Sequence, residues 1–180
     1  MSTRSWTRRS VLVLGLTVAG GVALARPAGA AEVTVGDLAF TVPSTIIPGP
    51  PVATTSYGPH WQWQGAAPGP GADPAAVVLA RADLPLSEPE EIIGLVLAGS
   101  AAGLLPGLQL TGRRTRSIPG GGEQTRLDLS YLVRSDVRYQ GTLLVATRAE
   151  PPSALLAVLG DEQLTAGTVD AVLDSARWLR

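Results

Sequence analysis

No cysteine occurs in the 180 residues. That excludes disulfides, thiolate metal sites, a cysteine nucleophile and a lipid-bearing cysteine behind a leader. The chain must hold together by packing alone. Lysine is missing as well, so all 14 basic side chains are arginine. His60 is the one histidine, which argues against zinc, copper and haem sites and leaves no metal or cofactor to expect. Positive charge is also scarce beyond the start. Arg4, Arg8, Arg9 and Arg26 lie in the first 30 residues, leaving ten arginines against fifteen carboxylates and a net charge of −5. An acidic domain is a poor general binder of nucleic acid, because phosphate neutralisation drives that affinity.

What is present points to one domain behind a leader. The hydrophobic fraction of 45% is ordinary, and about 150 residues can bury roughly 70% of their unfolded surface without a staple. Residues 1–10 are basic with no acid, and Val11 to Ala25 is an uncharged run of 15 residues. Ala28-Gly29-Ala30 then precedes Ala31, an A-x-A pattern for signal peptidase. The expected division is a signal peptide over 1–30 and a single α+β domain over 31–180. Thr7-Arg8-Arg9-Ser10-Val11-Leu12 resembles the twin-arginine export motif, departing from it at Val11 and at Val13. The resemblance implies the twin-arginine machinery and signal peptidase as partners, a secreted or envelope location, and membrane contact only during export. Ordinary secretion and an uncleaved anchor are the alternatives, though the run is shorter than the ~20 residues a spanning helix needs.

Along the domain, Val33–Val35 and Leu38–Val42 read as a hairpin turned at Gly36-Asp37. Proline and glycine mark Ile46–Val52 as a loop. Thr54–Tyr57 and His60–Gln64 read as a second pair, with Trp61 and Trp63 on one face, and Gly65–Pro74 as another loop. Ala75–Ala82 is an apolar strand. Ser87 caps a helix to Gly103 whose charge-free body, Ile92 to Ala102, predicts heavy coverage. Leu108–Ile118, Gln124–Arg134 and Arg138–Arg148 form a meander, and Ala154–Leu159 one more strand. Thr165 caps a last helix over Ala166–Trp178. This order predicts an α+β fold, an antiparallel meander with two packing helices.

Three places resemble the PsbP-like family: the opening Phe40-Thr41-Val42-Pro43, the glycine-turned meander from Arg114 to Arg148, and the ending Leu173-Asp174-Ser175-Ala176-Arg177-Trp178. The chain departs from the family at Ser44-Thr45-Ile46, where Gly-Trp is frequent, and lacks the cysteine of lipid-anchored members. The resemblance implies an α-β-α sandwich that is generally non-catalytic, and it transfers no site residues.

Candidate chemistry is sparse. His60 can serve a hydrolase only if a nucleophile and an acid such as Ser44, Ser56 or Asp73 reach it; the plainer reading is a strand histidine. Gly99-Ser100 lacks the flanking glycines of a nucleophile elbow. Gly120-Gly121-Gly122 precedes no helix and reads as a hairpin turn rather than a phosphate cradle. Glu88, Glu90 and Glu91 suit a helix start. The arginines stand out: Arg113, Arg114, Arg116, Arg126, Arg134, Arg138 and Arg148 all fall on the meander. An aligned stripe would bind an anionic ligand bidentately; otherwise they pair across strands with Asp128, Asp136 and Glu123. Trp61 and Trp63 are either a stacking platform or core.

The leading expectation is therefore a non-enzymatic exported binding or accessory protein, with the arginine face as its contact for an envelope partner or anionic ligand. The alternatives are a small secreted hydrolase using His60, and an accessory subunit docking to an envelope partner through the apolar helix.

Overall fold

The structure, a computed structural model, describes residues 29–49, 61–71, 73–101, 106–117, 122–134 and 137–179. Residues 1–28, with Arg8, Arg9 and Ala28, lie outside them, as do Ser56 and His60.

Strand β1 (Ala30–Val35) folds back on β2 (Leu38–Pro43) through Gly36, whose φ of +54° suits a residue without Cβ. The loop expected after it contains a two-residue strand, β3 (Ile47–Pro48), paired to β4 (Trp63–Ala67). Strand β4 therefore begins later than its own alternation suggests and runs through residues that read as loop. Pairing with β5 (Ala76–Leu84) decides this, from Trp63 opposite Ala80 to Ala67 opposite Ala76. At Gly65 a Cβ would lie 2.6 Å from the Ile46 side chain and 2.7 Å from the Trp63 ring, so the glycine is part of the packing.

Helix α1 (Pro89–Ala101) follows, then the meander of β6 (Gln109–Ser117), β7 (Glu123–Arg134) and β8 (Val137–Thr147), and the central strand β9 (Ser153–Gly160). Helix α2 (Ala166–Asp174) begins at Thr165, whose side chain accepts the Thr168 N–H. It stops four residues short of the helix expected to Trp178. Ser175 ends it: its hydroxyl donates to the Val172 carbonyl at 2.6 Å and accepts the Thr41 N–H at 2.7 Å. The chain then adds β10 (Arg177–Trp178) to the open side of β2.

Two antiparallel sheets result, ordered β1-β2-β10 and β3-β4-β5-β9-β8-β7-β6. Strand β9 is buried on both faces, which explains why its sequence is continuously apolar. On one face Ala154, Leu156 and Val158 join Val78, Leu144, Phe40, Val172 and Leu173 beneath the small sheet and α2. On the other, Leu155, Ala157 and Leu159 join Leu79, Leu127, Tyr139, Ile92 and Ile93 beneath α1. The α+β expectation holds, as an antiparallel meander with helices on opposite faces. A separate three-stranded sheet was not legible, because β10 belongs to it across more than 130 residues of chain.

Candidate functional site

The meander arginines do not form one outward stripe. Register places Arg113 opposite Leu127, on the α1 face, whereas Arg114 and Arg116 lie opposite Arg126 and Gln124, on the α2 face. Arg126 sits at the centre of a lattice under α2 and is only 8% exposed. Its Nη1 donates to Asp170 at 3.1 Å and its Nη2 to Asp174 at 2.7 Å. Asp174 also takes Arg116 at 2.6 Å. Arg116 Nε donates to the Gln124 amide oxygen at 2.9 Å, and the Gln124 amide donates on to the Ala176 carbonyl at 3.3 Å. These residues clamp two strands to the last turn of α2.

Four more of the meander arginines are engaged as well. Arg114 approaches both oxygens of Asp128, at 3.2 and 3.3 Å. Thr142 holds the same carboxylate with a bond of 2.8 Å. A Cβ at Gly112 would come 2.8 Å from that carboxylate and would have to displace it. Arg113 forks onto Glu90 of α1, pulling the glutamate carboxyl below its ordinary value and raising the guanidinium above its own. The cause in both is first their side-chain hydrogen bond, partly opposed by desolvation and aided by the opposite charge. Arg148 reaches Asp37 at 2.7 Å and lies over the Trp178 ring, 4.8 Å from its centroid. Arg138 donates to the Ser130 hydroxyl at 3.0 Å and the Gly107 carbonyl at 3.4 Å. Arg134 ends β7, and its side chain lies outside the described part. Cross-strand pairing thus accounts for Arg114, and helix-to-sheet pairing for Arg113, Arg116 and Arg126.

Asp170 and Asp174 were not singled out from sequence. Their spacing of four puts them on one face of α2, beside Val169, Val172 and Leu173, which are buried. Two acids flanking an apolar stripe, facing a meander rich in arginine, were the available signal.

The tryptophans do not share a face. Trp63 packs with the small-sheet core and meets Phe40 edge-on, centroids 5.5 Å apart at 81°. Trp61 packs against the opposite core. The alternation that would align them fails because Trp61 precedes β4. Each ring is half-buried, so the pair forms no stacking platform.

Helix α1 departs most from expectation. Ile92 and Ile93 are buried and Val96 is half-buried, yet Leu95 is 50% and Leu97 43% exposed. Gly94 and Ala98 are exposed beside them. The helix body carries no charge after Glu91, so this outer surface is continuously apolar. The coverage expected of a charge-free helix is absent because the sheet contacts one side only. Among the described residues no three His, Cys, Asp or Glu side chains are placed to hold a metal, and no helix is long and apolar enough to cross a membrane.

No protein-family model and no curated protein matches the chain. Among solved structures it is similar to the solution structure of cyanobacterial PsbP (CyanoP) from Synechocystis sp. PCC 6803, at 12% identity and a TM-score of 0.58 over 88% of this chain and 98% of that one. The likeness establishes a PsbP-like fold, the architecture on which the arginine lattice and the bare face of α1 are built.

Proposed function

We propose that this protein is an exported, non-enzymatic accessory protein of the cell envelope that docks to a partner through the outer face of α1. The observation that carries this reading is the uncovered apolar surface of Gly94, Leu95, Leu97 and Ala98. Scattered apolar residues on a surface need no explanation. Two half-exposed leucines on a helix with no charge after its first turn are different. Covering what remains of each would contribute roughly 1 kcal/mol. Export is supported by Arg8-Arg9, the uncharged run and Ala28-Gly29-Ala30.

The arginine face supports docking less well, because its guanidinium groups already meet acceptors within the domain. Fractionation of cells producing the tagged chain tests the reading. The shortened protein should appear outside the cytoplasm and co-sediment with the envelope. Leu95→Glu combined with Leu97→Glu should release it without loss of fold. Gly94→Ala checks stability apart from docking: a Cβ there meets nothing within 4 Å, so the free protein should gain about 0.5–1 kcal/mol. Equal retention of the glutamate variant would refute the docking face. Full-length protein confined to the cytoplasm would refute export.

A further inference from the structure

We propose that a cleft beside the irregular start of β6 binds a small zwitterion of the α-amino-acid type, its carboxylate on Arg138 and its ammonium on Glu162. The cleft is open on one side, has a volume of about 280 Å³, and is lined by Thr111, Leu129, Ser130, Arg138, Gln140 and Glu162.

Backbone register builds it. Leu110 lies opposite Leu129 and Gly112 opposite Asp128, so Thr111 is the extra residue of a bulge, which re-aims side chains at a sheet edge. Ser130 and Gln140 face each other across β7 and β8, and Gln140 lies opposite Gly160, the last residue of β9. Glu162 follows two residues later, in the turn leading to α2. The strands therefore place Arg138 and Glu162 on the rim of one hollow.

The charges identify the ligand. Arg113, Arg114, Arg116, Arg126 and Arg148 each meet a carboxylate. Arg138 is held by a hydroxyl and a carbonyl instead, both neutral, and these orient its guanidinium without neutralising it. Among the described residues neither Arg138 nor Glu162 has an ion-pair partner, although the two line the same cleft. A simple anion there would face Glu162, and a simple cation would face Arg138. A molecule carrying both charges satisfies both. Thr111, Ser130 and Gln140 add hydroxyl and amide groups between them. The volume is many times what a single water needs, room for a compact amino acid.

Amide-resolved NMR titration of the labelled protein with free L-amino acids tests this independently of the docking face. At least one free amino acid should give saturable shifts confined to Thr111, Ser130, Arg138, Gln140, Glu162 and their neighbours. Arg138→Gln and Glu162→Gln should each weaken binding at least about tenfold. The N-acetyl and carboxamide forms of the same amino acid, each lacking one charge, should lose binding to a similar degree. Both substituted side chains are exposed, and an unchanged spectrum elsewhere verifies the fold of each variant. The leucine-to-glutamate variant of α1 should titrate as wild type, so the two proposals fail separately. No saturation by any free amino acid up to about 20 mM, or undiminished binding of the blocked forms or of the two variants, would overturn the assignment.

Discussion

Arg114 and Arg126 lie opposite each other on neighbouring strands, yet their surroundings differ. The side chain of Arg114 is 65% exposed and shares a water-screened carboxylate, whereas that of Arg126 is 9% exposed and bridges two acids on α2. Exposed pairs contribute little, and a buried cation that loses its partners costs more. Arg126→Gln should therefore destabilise the domain by about 1–3 kcal/mol, moderated because Asp170 and Asp174 stay half in water. Arg114→Gln should stay within about 0.5 kcal/mol. Urea midpoints of the two variants measure the contrast. The period of two along β7 sets Leu127, Leu129 and Tyr131 against Arg126 and Asp128, and such alternation is legible in sequence. The partners of Arg126 were not, because they lie 44 and 48 residues away.

Among the elements, α1 is fastened at its start by the fork between Glu90 and Arg113 and at its body by Ile92 and Ile93. The Glu90 carboxyl sits below its ordinary value because Arg113 hydrogen-bonds its charged form. The contribution of that fork is thus present above the carboxyl's unfolded value and lost as pH falls through its lower folded value. Acidification should release the first turn of α1 from β6. In wild-type protein the stability advantage over Glu90→Gln should be seen at neutral pH and vanish at the acid end, as followed by urea midpoints across pH. The Thr165 cap and apolar stripe of α2, and the approximate place of both helices, could be read locally. Their extents could not: α2 yields Arg177 and Trp178 to β10 because β2 offers an unpaired edge, and β4 is shifted by its pairing with β5. Local propensity is a weak prior against a ladder of hydrogen bonds.

For the whole molecule, the large sheet divides two cores, and β9, flanked by β5 and β8, belongs to both. At the far edge, β6 is exposed along nearly its entire length, carries Arg113, Arg114 and Arg116, and is interrupted by a bulge. Charges and bulges are devices that discourage another strand from adding to an edge. Native-state hydrogen exchange should accordingly place β9 and the adjoining residues of β5 and β8 in the slowest class, with β6 amides not bonded to β7 in the fastest. Uniform protection across the sheet would contradict this layering. By itself the sequence determined the absence of cysteine chemistry, the acidic balance beyond residue 30, most strand and helix positions, and the α+β order, since these follow from composition, period and turn residues. Only the tertiary structure decided which face each helix covers, where α2 ends, that Trp61 and Trp63 diverge, that five of the meander arginines meet acids, and that one side of α1 stays bare. Those outcomes depend on strand register and on contacts between residues far apart along the chain, which no local pattern encodes.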